Sequence, residues 1–332
     1  MQTEQSQTKN RINSFMDFCA GIGSGRLGLE KSGLCCVGFS EIDKNAEQTY
    51  RALFGEKEKN YGDLMGIDSR KLPNFDLLIA GFPCQSFSVV GQRKGLNDDR
   101  GQIIYGLIKI LKDKNVPYFI LENVKGLVNH NKGKTIKVIL SELENAGYKV
   151  FHKVLNSTDY NIPQMRERVY FVGVKKEISD PLKPFNWPEK ENPVSLSNYL
   201  ISENSFTIDE KEQSYKTFKK YLNNKYNEGK FKIEELLKEN LLVLDTRQSD
   251  LRLYKNKIPT LRTGRHGILY VKNGKFRKLS GMESLLLQGF PLDLAKKAEK
   301  NIDEGYLLKQ AGNAMTATVI EKIANQLLKY IE

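Results

Sequence analysis

The sequence predicts an α/β protein with a doubly wound, mostly parallel β-sheet and a second, smaller domain. Two observations lead to this fold class. From residue 12 to residue 174, short apolar runs alternate with stretches of helical periodicity, an alternation typical of βαβ units. Prolines at positions 181, 184, 188 and 193 then break the pattern, which indicates a domain boundary.

Six apolar runs predict the strands of the sheet. In chain order they span residues 12–18, 35–43, 75–81, 117–123, 148–155 and 168–174. Helical patterns at 102–113 and 134–147 separate the later runs, and Gly147 ends the second pattern. Because neighbouring parallel strands need crossover connections, we expect helices to cover both faces of the sheet.

The chain after residue 174 has a different character. Residues 205–240 are rich in Lys, Glu, Asn and Tyr, which predicts polar helices on the surface. A basic stretch follows at 245–280, and the Asn273-Gly274 pair within it predicts a tight hairpin. A helical pattern at 314–332 closes the sequence. We therefore expect a larger domain of residues 11–185 plus 305–332, and a smaller domain of residues 186–304.

Composition narrows the partners and the location of the protein. Its 332 residues include 52 Lys and Arg against 40 Asp and Glu, and this excess favours a polyanionic partner, nucleic acid before an anionic membrane surface. Four cysteines in no CxxC pair, with three histidines, give little support for a metal site. So few cysteines, a polar N-terminus and no apolar run of about 18 residues predict a soluble, cytoplasmic protein without a membrane partner.

A trio of glycines lies directly after the first predicted strand and before a helix-like stretch. Gly21, Gly23 and Gly25 would let backbone amides approach a ligand closely. Glu41 and Asp43 follow at the end of the second strand, about 20 residues later, where a ribose-binding acid is expected. A purely structural turn also fits these glycines, and the residues leave NAD and other adenosine compounds open as ligands.

Two further carboxylates bear on the charge of that ligand. Asp17 and Asp63 would repel the pyrophosphate of a dinucleotide and attract a cation. They favour a positively charged cofactor, such as S-adenosylmethionine, over NAD.

Cys84 lies in the segment GFPCQSFS, directly after the third predicted strand. Gly81 and Pro83 force a sharp turn there, at the carboxyl edge of the sheet, where open α/β folds place their ligands. Free cysteines are commonly small buried hydrophobes, whereas a cysteine at such an edge can also be a nucleophile. These eight residues alone leave both interpretations open.

Six segments together resemble one family, the C5-cytosine DNA methyltransferases of bacterial restriction-modification type. They occur in the family's order and cover almost the whole chain except residues 186–275. The segments are DFCAGIGSG at 17–25, GFPCQSFS at 81–88, ENVKG at 122–126, QMRER at 164–168, RKLSGMESLLLQGFP at 277–291 and QAGNAM at 310–315. The resemblance implies a Rossmann-like S-adenosylmethionine-dependent methyltransferase fold, with the larger domain catalytic and the smaller one a target-recognition domain.

The resemblance also implies a set of catalytic residues. Cys84 matches the nucleophile that adds to cytosine C6 and makes C5 reactive. Glu122 matches the residue that donates a proton at N3, which requires a raised pKa in a closed pocket. Arg168 resembles the arginine that reaches the cytosine O2, and Arg166 is its neighbour in the motif. An ordinary strand-end carboxylate and a surface strand of alternating charge are the alternatives for these residues.

The same resemblance identifies residues expected to bind S-adenosylmethionine. They are Asp17, Phe18, Gly21, Gly23, Glu41, Ile42, Asp63, Gly81, Pro83 and Asn313. The chain departs from the family at Cys19, where the family usually has a phenylalanine that stacks on the adenine. Phe18 is one place off, and a slip of one residue along a strand points a side chain to the opposite face. Ile42 could then cover the adenine instead.

Double-stranded DNA is the expected partner, with the target cytosine flipped out of the stack. The segment 88–102 resembles the family's loop that closes over flipped DNA, and Thr260-Leu261 resembles a pair in its recognition region. Side chains able to contact bases or phosphates are expected in both places. They are Arg93, Arg100, Arg247, Arg252, Thr260, Arg262 and Arg265.

Three other functions compete with this one. A tRNA cytosine-5 methyltransferase of the same fold would carry a Cys-Phe-Thr signature, which the sequence lacks. A nicotinamide-dependent oxidoreductase explains only the glycine turn. A catalytically inactive DNA-binding protein would not need Cys84, Glu122 and Arg168. We expect a monomeric DNA (cytosine-5-)-methyltransferase at the bacterial nucleoid, accompanied by a restriction endonuclease for the same site.

Overall fold

A computed structural model describes residues 11–83, 103–201, 206–264 and 266–332. Within these ranges the strands are β1 (Ser14–Phe18), β2 (Cys35–Ser40), β3 (Leu77–Gly81), β4 (Tyr118–Val124), β5 (Tyr148–Asn156), β6 (Gln164–Met165), β7 (Glu167–Lys175), β8 (Leu242–Asp245), β9 (Arg252–Lys255), β10 (Ile258–Pro259), β11 (Ile268–Lys272) and β12 (Lys275–Lys278). The α-helices are α1 (Ser24–Lys31), α2 (Lys44–Phe54), α3 (Ile103–Asp113), α4 (Gly126–Asn129), α5 (Lys134–Asn145), α6 (Gln213–Leu222), α7 (Ile233–Leu236), α8 (Gly281–Leu286), α9 (Leu292–Asn301), α10 (Glu304–Asn313) and α11 (Ala317–Ile331). No helix in these ranges has both the length and the apolar character that a membrane crossing requires.

The central sheet has the strand order β2-β1-β3-β4-β7-β5. Neighbouring strands from β2 to β4 are parallel, whereas β7 runs antiparallel to both β4 and β5. The mostly parallel, doubly wound sheet predicted from the sequence is therefore confirmed. The single reversed strand follows from its connection, because β7 comes after β5 by a short link without a crossover helix.

Alternate residues of β3 face opposite sides of the sheet, and each side is covered by helices. Leu78 packs in one apolar cluster with side chains of α3 and α5. Leu77 and Ile79 pack in another cluster with side chains of α1 and α11. This period of two places apolar residues on both faces of a buried strand, and it explains why the sequence of β3 is a continuous apolar run.

A separate antiparallel sheet of order β12-β11-β8-β9 lies within residues 242–278, in the smaller domain expected from the sequence. Its β11–β12 hairpin pairs Lys272 with Lys275 around the predicted two-residue turn. Asn273 and Gly274 adopt φ values of 53° and 69°, the left-handed conformation that this turn requires. Phe218 of α6 packs on this sheet in one apolar cluster, so the polar helix predicted for this region has one buried face.

Several contacts join this part of the chain to elements beside the central sheet. The short parallel pair β6–β10 aligns Ile258 with Gln164 and Pro259 with Met165. Leu285 of α8 packs in one apolar cluster with Leu27 of α1. The carboxyl ends of β1 to β4 and the segment around β10 therefore lie near one another, and this edge carries the candidate site.

Candidate active site

A cavity of about 190 Å³ opens at the carboxyl ends of β1, β2 and β3. Its wall combines the glycine turn after β1, the acidic end of β2, the last residue of β3 and the C-terminal end of α10. The lining residues are Cys19, Ala20, Gly21, Ile22, Ser24, Glu41, Asp43, Ala46, Gly81, Lys309, Gln310, Asn313, Ala314 and Met315. This is the position at which parallel α/β sheets bind ligands.

The glycines of the turn have distinct structural reasons. Gly21 has φ +56°, and a Cβ added to it would meet no atom within 4 Å, so its requirement is conformational. Gly23 has φ +80°, and a Cβ there would lie 2.4 Å from Cε2 of Phe54. The turn can therefore approach α2 closely and deliver the chain into α1.

Glu41 fixes the acidic wall of the cavity. One carboxylate oxygen accepts a 2.7 Å hydrogen bond from the Gly21 N–H, and the other accepts 2.8 Å bonds from the Ile42 and Asp43 N–H groups. The Asn60 side chain bonds both main-chain groups of Glu41, at 3.0 and 3.1 Å. The glycine turn and the end of β2 are thereby held in one arrangement, which presents a carboxylate to the cavity.

Cys19 lines the cavity at the position where the sequence resemblance predicted an aromatic ring. It adopts φ +50°, an uncommon conformation for a residue other than glycine. Burial, with the charges of Glu41, Asp17 and Asp63, raises the pKa of its thiol to about 12. Phe18 is fully buried on the other side, with its ring 6.2 Å from the ring of Phe75. Phe18 does not line the cavity, as the slip of one residue predicted.

Five other residues expected at the cofactor lie outside the cavity lining in the part of the chain that the structure describes, and Gly23 and Pro83 are two of them. Asp17 is fully buried beneath the turn, where it accepts a bond of 3.3 Å from the Arg26 N–H, and burial raises the pKa of its carboxyl well above the ordinary value. Ile42 is 72% exposed, so it does not cover an adenine here. Asp63 is exposed and accepts a bond of 2.9 Å from the Met65 N–H.

The C-terminal end of α10 contributes the opposite wall. Asn313, expected from the sequence, lines the cavity, and so do Gln310 and Met315. The Gln310 side chain bonds the Asn45 carbonyl at 3.0 Å and the Thr49 hydroxyl at 2.9 Å, which ties α10 to α2. Sequence reasoning missed Gln310 and Met315, although both belong to the segment QAGNAM from which it selected Asn313.

A buried ion pair lies beside Gly81. Glu122, at the end of β4, pairs with Gly81 in the parallel ladder and is 8% exposed. The Arg168 Nε lies 3.0 Å from the Glu122 Oε1. Burial raises the pKa of the Glu122 carboxyl, although Arg168 and Arg166 act in the opposite direction. The arrangement holds a carboxyl group that can keep its proton next to a fixed cation.

Arg166 is 2% exposed and bonds main-chain carbonyls instead of a carboxylate. It donates to Leu261 O at 3.2 Å, to Gly312 O at 3.2 and 3.3 Å, and to Ala314 O at 2.6 Å. Burial, with the charge of Arg168, lowers the pKa of its guanidinium to about 9. These bonds join three chain segments.

Cys84, Arg93, Arg100 and Arg265 lie outside the described residues. Cys84 follows Gly81 by three residues in the sequence. Pro83, exposed at the end of the described segment, directly precedes it.

The remaining candidates for DNA contact differ in their environment. Arg247 is buried, and its guanidinium bonds both carboxylate oxygens of Asp245 at 2.7 Å and Thr260 O at 2.6 Å. A DNA contact by Arg247 is therefore not supported, because its donors hold the sheet to the segment after β10. Arg262 is exposed, and Arg252 is exposed with a loose ion pair of 3.9 Å to Asp250.

Comparison with known proteins decides the family. The family described as C-5 cytosine-specific DNA methylase matches residues 13–329. The chain belongs to this family. It is 38% identical over 316 residues to Type II methyltransferase M.NgoBI of Neisseria gonorrhoeae, covering 92% of this chain and 90% of that protein. It is 36% identical over 314 residues to Type II methyltransferase M.HaeII of Haemophilus aegyptius, covering 94% and 92%.

A solved structure supports the fold of this C5-cytosine methyltransferase. A variant of Spodoptera frugiperda DNMT2 aligns with a TM-score of 0.67 and 21% identity, over 96% of this chain and 99% of that one. The Rossmann-like methyltransferase fold expected from the sequence is confirmed. Family membership also excludes the nicotinamide-dependent oxidoreductase considered for the glycine turn.

The cofactor of this methyltransferase is S-adenosylmethionine, and the residues around the cavity fit it. Glu41 supplies an acceptor at the end of β2, the position suited to ribose hydroxyls. Glu41 and Asp43 add negative charge at the wall, which suits a cationic sulfonium compound and not a pyrophosphate. Around Gly21 the turn is open, so a ligand can approach its backbone.

Proposed function

We propose that this methyltransferase flips a cytosine out of a short, specific duplex site and methylates C5 through a covalent adduct with Cys84. We further propose that it acts as the modification enzyme of a restriction-modification system. Its relatives M.NgoBI and M.HaeII carry the name Type II methyltransferase and match over nearly their whole length, which supports this role. A cognate endonuclease for the same site is part of the proposal.

The observation that carries the chemistry is the buried Glu122–Arg168 pair beside Gly81. Cys84 follows Gly81 by three residues in the sequence, and Gly81 pairs with Glu122 in the β-ladder; this supports a thiolate that acts together with the Glu122 carboxyl. When the thiolate adds to C6, a sulfur–carbon bond forms and electron density moves into the ring toward C5 and N3. A protonated Glu122 stabilises that charge by donating at N3.

Arg168 completes the stabilisation. Its guanidinium carries a permanent positive charge beside Glu122, and it has further donors that suit the cytosine O2. Bound S-adenosylmethionine would supply an electrophilic methyl group on its sulfonium and, as the methyl–sulfur bond breaks, would leave as S-adenosylhomocysteine. After C5 has taken the methyl group, water or hydroxide removes the C5 proton, the C6–sulfur bond breaks, and Cys84 leaves as a thiolate.

Duplex recognition is assigned to the smaller domain of residues 186–304. Arg252 and Arg262 are exposed there and available to phosphates or base edges, as the net charge of +12 favours. Arg93, Arg100 and Arg265 are proposed from the family resemblance of their segments. We propose a monomer, since one subunit carries every residue that the mechanism uses, and a location at the nucleoid.

The test is methyl transfer from labelled S-adenosylmethionine to unmethylated genomic DNA, followed by base-resolution sequencing. Wild-type protein is compared with Cys84→Ser, and Cys35→Ser serves as a matched control at an exposed cysteine on β2. We expect label at C5 in one short motif for the wild type and the control, and none for Cys84→Ser.

Two results would contradict the proposal. Label in tRNA and none in DNA would show that the substrate is tRNA and not DNA. Cofactor binding without transfer to either nucleic acid would indicate an inactive DNA-binding protein. A nuclease gene product that cuts the identified motif only when it is unmethylated would support the restriction-modification role, and its absence from the source genome would refute it.

A further inference from the structure

The guanidinium of Arg166 joins two parts of the molecule that bind different ligands in the proposed function. Gly312 and Ala314, whose carbonyls accept three of its hydrogen bonds, flank Asn313 at the wall of the cofactor cavity. The Leu261 carbonyl accepts the fourth hydrogen bond, and Leu261 directly precedes the exposed Arg262. Both belong to residues 260–264, the recognition segment. One buried side chain therefore connects the cofactor wall with a segment proposed to face DNA.

The two backbones also touch directly at this place. A Cβ on Gly312 would lie 2.4 Å from both Arg262 C and Thr263 N, so only glycine allows this approach. The recognition segment cannot shift toward α10 without moving the chain at 312–315. The Thr260 hydroxyl, which donates to Met165 O, fixes the segment to the residue before Arg166.

We propose that Arg166 is a positioning residue that couples DNA binding by residues 260–264 to the cofactor wall at 313–315, so that each ligand raises the affinity for the other. The proposal rests on the proposed function, because it requires that residues 260–264 contact DNA. Coupling between two binding sites is reciprocal, so one factor describes both directions.

Arginine suits this role better than any other residue. Its planar guanidinium offers five donors in a fixed fork, so it can hold carbonyls from several segments at once. A lysine has three donors on a flexible stem and cannot span the same carbonyls in a fixed geometry. We therefore expect Arg166→Lys to loosen the connection while it keeps the charge.

The experiment measures the dissociation constant of S-adenosylhomocysteine by calorimetry, with and without an unmethylated duplex. The duplex contains the motif that sequencing identifies as the site of methylation. In the wild type we expect the duplex to tighten binding by roughly 5- to 100-fold, the usual range of coupling between sites. In Arg166→Lys we expect this factor to fall below about 3-fold. Gly312→Ala tests the same junction with Arg166 intact, and we expect the same fall.

Gln164→Met is the matched control. Gln164 is fully buried, accepts a bond of 3.0 Å from Leu261 N and donates one of 2.7 Å to Leu287 O, so it holds Leu261 through bonds that do not involve residues 312–315. We expect this variant to keep the wild-type coupling factor. A general loss of packing would lower the melting temperature of all three variants. The coupling factor is the measurement that distinguishes them, because it should fall in Arg166→Lys and Gly312→Ala and stay unchanged in Gln164→Met.

Several results would overturn the proposal. A wild type that binds the cofactor product but no duplex would refute the proposed function, and the coupling with it. A wild type that binds both ligands independently would refute the coupling alone. Full coupling in Arg166→Lys and Gly312→Ala, or an equal loss in Gln164→Met, would show that Arg166 is not the connection.

Discussion

Arg247 and Arg262 lie in one basic stretch, yet the structure predicts opposite effects of replacing them. Two donors of Arg247 each lie 2.7 Å from a carboxylate oxygen of Asp245, and its side chain is 2% exposed. Arg247→Met would leave the Asp245 carboxylate buried without the cation that is hydrogen-bonded to both of its oxygens. Removing one member of a buried ion pair costs about 3–5 kcal/mol, so we expect the free energy of unfolding to fall by that amount.

Urea denaturation of matched variants measures this difference. Arg262→Met, at an exposed position, should change the free energy of unfolding by no more than about 0.5 kcal/mol. If its contact is with phosphate, it should weaken DNA binding and reduce the salt dependence of the association constant by about one unit of slope. Replacing both members of the pair, as Asp245→Leu with Arg247→Met, should recover most of the lost stability.

Two outcomes would refute this reasoning. An unchanged unfolding midpoint in Arg247→Met would show that the pair is not buried in solution. A large loss of stability in Arg262→Met would show that the exposed arginine holds the fold.

Three further predictions concern the site. Glu122→Gln should lower kcat by roughly 10²- to 10⁴-fold. In the wild type the rate should decline as pH rises through the raised Glu122 pKa, because only the protonated carboxyl donates, and the variant should lack this decline. A pH–rate profile of the variant that keeps the decline would assign it to another group. Burial raises the pKa of Asp17 in the folded protein, so its contribution to stability falls as pH rises from about 4 through that pKa. Denaturation at several pH values should therefore show a smaller fall in the free energy of unfolding for Asp17→Asn than for the wild type. The same pH dependence of stability in both proteins would contradict this. Cys19→Phe should tighten S-adenosylhomocysteine binding by roughly 5-fold, from an aromatic contact of about 1 kcal/mol, whereas weaker binding in calorimetry would mean that the ring does not fit the cavity.

The sheet was predictable because its strands are strongly patterned. The run at β3 is apolar throughout because both of its faces are buried, and no helix of that length fits between its flanking turns. The Asn273-Gly274 hairpin was predictable because few residue pairs adopt the required left-handed conformation.

Side-chain environments were less predictable, since they depend on contacts between distant segments. Arg247 and Arg262 are the same residue type in one basic stretch, but an acidic residue, Asp245, lies only two residues before Arg247. That spacing was an available signal of an ion pair. The burial of Asp17 beneath the glycine turn depends on α1 and could not be read from the strand alone.

The domain boundary at residue 304 stays a prediction. Helix α8 packs on α10, and α9 packs on α2. Residues of both helices share one apolar cluster with Leu27 and Leu53. The same cluster includes Val243 and Tyr270 of the smaller sheet, so α8 and α9 pack against both parts of the molecule.

The central claim is that Cys84 forms a bond to C6 of the target cytosine. The most direct test uses a duplex with 5-fluorocytosine at the methylated position, because the fluorine cannot leave C5 as a proton does and the adduct should persist. With S-adenosylmethionine present, we expect a protein–DNA complex that resists denaturation. Mass spectrometry of its digested peptides should place the nucleotide on Cys84, and Cys84→Ser should form no such complex. Methyl transfer to the unmodified duplex without a trapped complex, or an adduct on another residue, would contradict the account.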